Sequence, residues 1–313
     1  MDKLIKPKKL QTDSNIAVIA PAGPPKVERL QRGIERLKKH GYNIVVYPQA
    51  RRRRGYLAGN DKMRAEALMD AFEDKSIDAI FAARGGYGCL RLLPYLDFKV
   101  IKKNPKPLVG YSDLTVLLLS IFKECGMVTF HGPMVSIDLG KRPGQFILSN
   151  FYKALENVEP IGIIAKAPKY RYGRIHGGKA EGKIVGGNLS LISRMVGTGF
   201  LPSFKDKIVF LEDTDEQPYR IDGYLAQLFQ STDIAEARGY IIGEITNGEP
   251  PGGYAESLTM TQVLKDYFAG LGKPVITGFP CGHGDEKITI PIGVNIAIDA
   301  DKKVLEIKEA GVI

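Results

Sequence analysis

Short apolar runs alternate with amphipathic stretches through the first half of the chain. The runs have the length of strands, and the stretches between them carry apolar residues at helical spacing. The predicted strands are Ile16–Ala20, Tyr42–Tyr47, Ala79–Ala83 and Leu108–Gly110, and the predicted helices are Val27–His40, Asp61–Phe72 and Leu114–Lys123. This alternation predicts an α/β fold in which helices cover both faces of a parallel sheet. Ligands bind such sheets at the carboxyl ends of the strands.

The pattern changes after about residue 145. A stretch rich in proline and glycine, which includes Pro160 and Pro168, is followed by strand-like runs separated by glycine-rich turns. These runs are Ala180–Val185, Lys207–Leu211, Tyr240–Ile245, Val275–Phe279, Lys287–Pro291, Asn295–Ile298 and Lys303–Ile307. We therefore expect an α/β domain over residues 1–150, a crossover linker over 151–179, and a smaller β-rich domain over 180–313.

Composition places the chain among ordinary globular proteins, with 44% hydrophobic and 25% charged residues. Its three cysteines, Cys89, Cys125 and Cys281, are far apart and form no C-x-x-C pair. This spacing argues against a disulfide framework and a structural zinc site, and it favours a reducing compartment. The first apolar run is too short to span a membrane. We expect a cytoplasmic protein with no membrane partner.

The net charge of +9 and the run Arg51–Arg54 raise the question of nucleic-acid binding. No aromatic ladder accompanies the arginines, and the chain has no tryptophan on which a base could stack. Charge alone supports only non-specific attraction. We expect no nucleic-acid partner, and the same positive field could gather an anionic small substrate.

Ser112 stands where a nucleophile would lie, in the sequence Val109-Gly110-Tyr111-Ser112-Asp113. The residues before it form a predicted strand and those after it a predicted helix. A sharp strand-to-helix turn exposes a hydroxyl and aims the next backbone N–H at a developing oxyanion. The segment matches only half of the G-x-S-x-G pattern, because Leu114 replaces the second glycine. The alternative is that Ser112 and Asp113 cap the helix.

A serine nucleophile needs a base, and the chain has four histidines. His283 lies in a glycine-containing loop between two apolar runs, and this position favours it over the others. His131 follows a predicted strand and is the second candidate; a plain surface-loop histidine is the third interpretation. His40 ends a predicted helix, and His176 lies in the predicted crossover.

The candidate for the orienting acid is Glu212. It is the first carboxylate after the apolar run Ile208–Leu211, at the predicted mouth of a strand. The alternative is that the acidic cluster only places charge at the first turn of the next helix. The members of that cluster are Asp213, Asp215, Glu216 and Asp222.

Several motifs together resemble the L,D-carboxypeptidases, a family of serine peptidases related to muramoyltetrapeptide carboxypeptidase and to the microcin C immunity protein. They occur in the family's order, from about Asn15 to Val294. The motifs are Gly55-Tyr56-Leu57-Ala58-Gly59-Asn60-Asp61, Ala83-Arg84-Gly85-Gly86-Tyr87-Gly88, Gly110-Tyr111-Ser112-Asp113, Gly186-Gly187-Asn188-Leu189, Phe210-Leu211-Glu212-Asp213, Pro218-Tyr219-Arg220-Ile221-Asp222 and Gly282-His283.

The resemblance implies a catalytic triad of Ser112 as nucleophile, His283 as general base and Glu212 as orienting acid. It also implies an oxyanion hole formed by the backbone N–H groups of Asp113 and Gly86. The implied fold is an amidotransferase-like parallel-sheet domain followed by a smaller β-rich domain, in a homodimer that uses no metal or organic cofactor. Binding of a terminal carboxylate requires a cation or a backbone nest, for which Arg84 and Gly85 are candidates; the alternative for Arg84 is a buried ion pair.

The implied reaction is removal of the terminal D-alanine from a murein tetrapeptide through an acyl-enzyme, as in peptidoglycan recycling. Two alternatives stay open. One is an amidase that detoxifies a peptidyl-nucleotide antibiotic of the microcin C type. The other is a non-catalytic protein that binds a ligand in the crevice.

Overall fold

The computed structural model describes residues 4–167, 170–250 and 253–313. Pro168, in the predicted crossover, lies outside the described residues. The chain forms two compact units. The first comprises Met1–Glu159, Ile288–Gly293 and Ala310–Ile313, and the second comprises Pro160–Lys287 and Val294–Glu309.

The first unit is built on a six-stranded sheet. Its strands are β1 (Asn15–Ile19), β2 (Asn43–Val46), β3 (Ala79–Ala82), β4 (Leu108–Gly110), β5 (Thr129–His131) and β12 (Ile290–Ile292). They lie in the order β12-β5-β4-β3-β1-β2, and all pairs are parallel except the antiparallel edge pair β12–β5. The carboxyl ends of β1, β3, β4 and β5 therefore share one edge of the sheet.

Helices cover both faces of this sheet. They are α1 (Val27–His40), α2 (Asp61–Glu73), α3 (Phe98–Lys103), α4 (Thr115–Cys125) and α5 (Gln145–Glu156). The chain moves outward from β1 to β2 and then returns past β1 to β3, so right-handed crossovers place α1 and α2 on opposite faces. The helix contacts agree with this assignment to two faces. His40 of α1 stacks on Tyr152 of α5, whereas α2 contacts α3, which in turn contacts α4.

The second unit contains an eight-stranded mixed sheet. Its strands are β6 (Gly162–Ile163), β7 (Gly173–His176), β8 (Lys179–Asn188), β9 (Ile208–Thr214), β10 (Gly239–Thr246), β11 (Val275–Phe279), β13 (Asn295–Asp299) and β14 (Val304–Ile307). The order is β6-β14-β13-β8-β9-β10-β11-β7, with a parallel centre from β8 to β11 and antiparallel strands on both sides.

Three helices connect the parallel strands of the second sheet: α6 (Leu189–Met195), α7 (Pro218–Ser231) and α8 (Met260–Phe268). The predicted α/β architecture, with a second unit in which strands outnumber helices, is confirmed. In the described part of the chain, no helix combines the length and the apolar character needed to cross a membrane.

The units differ from the predicted boundaries in three places. The C-terminal Ala310–Ile313, predicted in the second domain, belongs to the first unit. The run predicted as Lys287–Pro291 forms β12, which pairs with β5 in the first sheet instead of joining the second. The predicted linker 151–179 is also more than a connection, because it contributes the end of α5 and both edge strands of the second sheet, β6 and β7. A strand's own residues do not encode which edge it joins, so local pattern could not place these segments.

The close packing of α1 against the backbone of Val135 gives a test of the first unit's structure. A Cβ at Gly33, in α1, would lie 2.0 Å from the carbonyl oxygen of Val135, whereas a Cβ at the exposed helical Gly223 would meet nothing within 4 Å. We expect Gly33→Ala to lower the free energy of unfolding by about 1–3 kcal/mol despite the higher helix propensity of alanine. The matched variant Gly223→Ala should be stabilised by about 0.5–1 kcal/mol. Urea denaturation of both variants measures this, and equal stabilities would contradict the packing described.

Candidate functional site

Ser112 has an unusual backbone conformation at the end of β4. Its φ is 63°, in the left-handed region, and the residue is half-buried. Tyr111 before it is extended, and a 3₁₀ turn over Ser112–Leu114 leads into α4. This conformation costs a non-glycine residue about 1–2 kcal/mol. The surrounding fold therefore holds the Ser112 side chain in one place on a sharp strand-to-helix turn.

The loop after β3, residues 84–88 (the glycine loop), lies directly against this serine. A Cβ at Gly85 would be 2.8 Å from Ser112 Cβ and 2.9 Å from Ser112 Oγ, so only glycine fits there. Gly86 follows with φ of 128°, a conformation that L side chains rarely adopt. The loop can thus bring backbone groups close to the hydroxyl.

The packing also explains why Leu114 can replace the second glycine of the G-x-S-x-G pattern. Leu114 is fully buried, and a Cβ on Gly110 would lie 2.4 Å from its Cδ2. The missing side chain at Gly110 provides the room that a glycine at position 114 would otherwise give.

The side chain and the backbone of Asp113 have different environments. The carboxylate is 2% exposed and accepts a 2.8 Å hydrogen bond from the backbone N–H of Cys89. Burial raises its pKa, and the hydrogen bond with Cys89 opposes the rise. The side chain therefore fastens the turn to the segment after the glycine loop. Its backbone N–H lies at the start of the helical segment, where such groups have no partner within the helix.

Arg84 lies at the start of the glycine loop and is half-buried. Its Nε donates a 3.1 Å hydrogen bond to the carbonyl of Gly85, and its Nη2 would lie 3.9 Å from a Cβ on Gly86. No carboxylate among the described residues forms an ion pair with it, so the buried-ion-pair alternative is not what the structure holds. The first unit thus brings Arg84, Gly85, Gly86 and Asp113 together around Ser112.

The second unit brings Glu212 and His283 together. Glu212, on β9, is 1% exposed, and its Oε2 lies 2.7 Å from His283 Nδ1. Its Oε1 is also buried and has no hydrogen-bond partner in the described ranges. The contact through Nδ1 fixes the orientation of the imidazole ring.

Glycine again permits the close contact. A Cβ at Gly282 would lie 2.3 Å from Glu212 Oε2, and a Cβ at Gly243 would lie 3.0 Å from Glu212 Cβ. Burial lowers the pKa of His283, but the charge and the hydrogen bond of Glu212 outweigh it, and the net pKa is raised. The protonated imidazole is therefore stabilised beside the carboxylate.

The loop that carries His283, residues 280–289 (the histidine loop), is also held by two residues that were not identified from the sequence. The hydroxyl of Tyr170 donates to Glu244 Oε2 at 2.7 Å, and it accepts the backbone N–H of Glu286 at 3.2 Å. Gly284 is pressed against this pair, since a Cβ there would clash with both side chains. Burial, reinforced by Glu244, raises the pKa of Tyr170, so the hydroxyl keeps its proton. Glu244 follows an apolar run on β10, the same signal that pointed to Glu212; Tyr170 had no comparable signal.

Asp213, the carboxylate directly after Glu212, serves local structure. Asp213 accepts hydrogen bonds from the backbone N–H of Ser190 at 2.8 Å and from Asn188 Nδ2 at 2.9 Å, so it caps α6. This corrects the expectation that it serves the helix that follows, because β8 lies beside β9 and brings the start of α6 next to it. Burial and the neighbouring Glu212 raise the pKa of Asp213 to about 6.

The other three histidines, His40, His131 and His176, contact different residues. His131 ends β5, is 2% exposed and lies with its ring 5.8 Å from that of Tyr111. His40 lies 2.6 Å from Glu156 through Nε2, and His176 lies 2.8 Å from the Gly177 carbonyl through Nδ1.

Comparison with known proteins gives consistent matches over both units. A model described as the LD-carboxypeptidase N-terminal domain matches residues 16–132, and one described as the LD-carboxypeptidase C-terminal domain matches 181–298. A Bacillus subtilis (strain 168) protein named "Probable murein peptide carboxypeptidase" is 36% identical over 98% of this chain and 95% of its own. The murein tetrapeptide carboxypeptidase of Pseudomonas aeruginosa is 33% identical over 93% of this chain and 94% of its own.

A solved structure shares the fold over almost the whole chain. The microcin C7 self immunity protein MccF in its apo state superposes with a TM-score of 0.92 at 25% identity, covering 99% of this chain and 100% of that one.

The raised pKa of His283 gives a direct test of the buried pair. We expect the imidazole to titrate above the ordinary value of about 6.5 in an NMR experiment on labelled histidine. Because the pKa is raised by folding, the pair stabilises the fold below the unfolded-state pKa, and this contribution is lost as the pH rises through the folded-state pKa. In Glu212→Gln the carboxylate charge is gone while burial remains, so the titration should move to lower pH. An unchanged titration in Glu212→Gln would show that the carboxylate does not control the imidazole. Asp215→Asn is the matched control.

Proposed function

The chain belongs to the LD-carboxypeptidase family, and we propose that it removes the terminal D-alanine from murein tetrapeptides by serine catalysis. The observation that carries the proposal is the position of Ser112, held at a positive φ on a strand-to-helix turn with Gly85 against its hydroxyl. The hydrogen-bonded pair Glu212–His283 supplies the other two groups that serine catalysis requires. The relatives named murein carboxypeptidases support the choice of substrate.

In this mechanism Ser112 Oγ attacks the carbonyl carbon that precedes the terminal D-alanine. His283 takes the serine proton through Nε2 and passes it to the departing D-alanine nitrogen. Glu212 fixes the imidazole tautomer through Nδ1 and stabilises the imidazolium that forms. Water then attacks the acyl-enzyme ester with His283 as base, which releases the tripeptide and regenerates the serine.

The oxyanion of the tetrahedral intermediate would be stabilised by the backbone N–H groups of Asp113 and Gly86. The first lies at the start of a helical segment, and the second lies in the loop packed on Ser112. Donors fixed in this way need no reorganisation when the negative charge develops.

Arg84 is our candidate for binding the carboxylate of the terminal D-alanine, with Gly85 contributing backbone. Nε is engaged by the Gly85 carbonyl, which fixes the guanidinium beside the loop, and no described carboxylate neutralises it. A guanidinium fork suits bidentate binding of a carboxylate. This arrangement would restrict cleavage to the last residue of the peptide. We further propose that the protein acts in the cytoplasm as a homodimer.

The second candidate is an amidase for peptidyl-nucleotide antibiotics, favoured by the shared fold with the microcin C7 self immunity protein. The absence of tryptophan from this chain removes the strongest stacking surface for a nucleobase. Turnover of an aminoacyl-adenylate analogue, compared with that of a murein tetrapeptide, separates the two functions.

Mass spectrometry of a murein tetrapeptide incubated with the protein tests the proposed reaction. We expect the wild type and Ser149→Ala, a substitution of an exposed serine on α5, to release one D-alanine with or without EDTA. Ser112→Ala should lose at least about 10³-fold in rate, because the nucleophile is gone. Full activity of Ser112→Ala would refute the assignment of the nucleophile. Tight binding without turnover by either protein would favour the ligand-binding alternative.

Tyr170→Phe tests whether the histidine loop must be held from its second side. The substitution removes the hydroxyl that donates to Glu244 and accepts from Glu286. We expect kcat to fall about tenfold with little change in KM. Leaving the part-buried Glu244 carboxylate without this donor costs about 1–3 kcal/mol, and the loop carries the proposed base rather than the binding groups. Steady-state kinetics measures this split, with Tyr95→Phe at an exposed tyrosine as control. A change in KM alone would contradict the positioning role.

A further inference from the structure

Arg64 on α2 is the largest completely buried side chain among the described residues, with an exposure of 0%. Its Nη1 donates to two backbone carbonyls, that of Pro21 and, at 3.1 Å, that of Gly88. Pro21 lies just after β1, and Gly88 is the last residue of the glycine loop, which follows β3. One guanidinium therefore joins the loops that follow two neighbouring strands of the first sheet.

The glycine loop is shaped around this guanidinium. Gly88 has φ of 113°, and a Cβ there would lie 2.9 Å from Arg64 Nη1 and 3.1 Å from Nη2. Earlier in the loop, the Gly85 carbonyl accepts the backbone N–H of Gly23 at 3.2 Å. The loop is thus held at Gly85 by the chain after β1 and at Gly88 by Arg64, and Gly86 lies between the two points.

Two carboxylates balance the buried charge of Arg64. Nη2 donates to Asp61 in the first turn of α2, and the other oxygen of Asp61 accepts a 2.7 Å hydrogen bond from the exposed Arg91. The second carboxylate is that of Asp113. Burial raises the pKa of Asp113, and the hydrogen bond with Cys89 and the charge of Arg64 oppose the rise. Opposite charges therefore alternate from Asp113 to the surface, which stabilises the guanidinium away from water.

Filling space does not require an arginine at this position. Its Nε is buried and has no hydrogen-bond partner within the described ranges, which is unfavourable by itself. An apolar residue of similar volume would leave no polar atom unpaired. It could not, however, bind the carbonyls of Pro21 and Gly88 and carry a positive charge for Asp113. The planar guanidinium offers its donors in fixed directions, so it sets the distance between the groups that it binds.

We propose that Arg64 is a positioning residue for the oxyanion hole. The inference rests on the proposed function, in which the backbone N–H groups of Gly86 and Asp113 stabilise the oxyanion. The first donor lies two residues before Gly88, whose carbonyl binds Arg64, and the second belongs to the residue whose carboxylate Arg64 stabilises. Arg64 acts through these two segments rather than on the substrate. It fixes the glycine loop relative to the turn at Ser112, so both donors keep their places as negative charge develops.

Arg64→Lys tests the positioning role, because lysine keeps the charge but has no planar fork to bind both carbonyls. We expect kcat on a murein tetrapeptide to fall about tenfold with KM nearly unchanged, since a small displacement of fixed donors weakens transition-state binding alone. A tripeptide boronic acid, with boron in place of the scissile carbonyl carbon, becomes tetrahedral and anionic when Ser112 Oγ bonds to it. Its inhibition constant should rise by the same factor as kcat falls.

The matched control is Lys106→Gln, which alters a buried cation at the opposite end of α2. Lys106 is 7% exposed and donates to the carbonyls of Ala71, at 2.8 Å, and Asp74. Both variants should unfold at lower urea concentration than the wild type, but only Arg64→Lys should lose kcat and affinity for the boronic acid. Equal losses of kcat in the two variants would show that Arg64 serves only general stability.

Asp61→Ala is a second variant, which leaves Arg64 in place and changes a half-buried residue. It removes the acceptor of Nη2, so kcat should fall about threefold. Unchanged kcat and boronic-acid affinity in Arg64→Lys would overturn the proposal, as would the same result in Asp61→Ala where Arg64→Lys does not fold. The wild type would still release D-alanine in that case. Failure of the proposed function itself would appear as no release by the wild type.

Discussion

The hydrogen bond between Glu212 and His283 is the interaction on which the second unit's site depends. β9 carries the Glu212 carboxylate to 1% exposure, and an unpaired buried charge costs several kcal/mol. His283 can reach it because Gly243 and Gly282 have no side chains to fill the space. The contact fixes the imidazole tautomer and raises its pKa against the effect of burial. The same bond therefore orders the loop that carries His283 and keeps the imidazole protonated to a higher pH.

In the first unit, a strained backbone conformation holds the candidate nucleophile in place. Ser112 is held at a φ that disfavours any side chain, and the glycine loop approaches it more closely than a Cβ would allow. Buried packing maintains the strained turn: Leu114 fills the space over Gly110, and the Asp113 carboxylate binds Cys89. In both units a glycine lies against a candidate catalytic side chain, because a Cβ at Gly85 would clash with Ser112 and one at Gly282 would clash with Glu212.

The loops near Ser112 hold a cation and exposed aromatic rings in fixed positions. Arg84 donates through Nε to the Gly85 carbonyl, and Tyr87 of the same loop contacts Tyr56 ring to ring. These groups lie on loops fixed to the strand ends by Gln49, Ala58 and Gly23. A rigid frame with variable loops lets one fold distinguish substrates without altering the reacting atoms.

The sequence by itself determined the alternation of elements, several of their bounds and the candidate residues. Val27–His40 is helical as predicted, and Leu108–Gly110 and Val275–Phe279 are strands as predicted, because hydrophobic periodicity and caps are local properties. Only the tertiary structure decided that β12 pairs with β5, that Asp213 caps α6, and that Tyr170 and Glu244 hold the histidine loop. These contacts join segments far apart in the chain, Tyr170 and Glu286 for example. The choice among possible partners depends on packing, strand order and burial, which no local pattern contains.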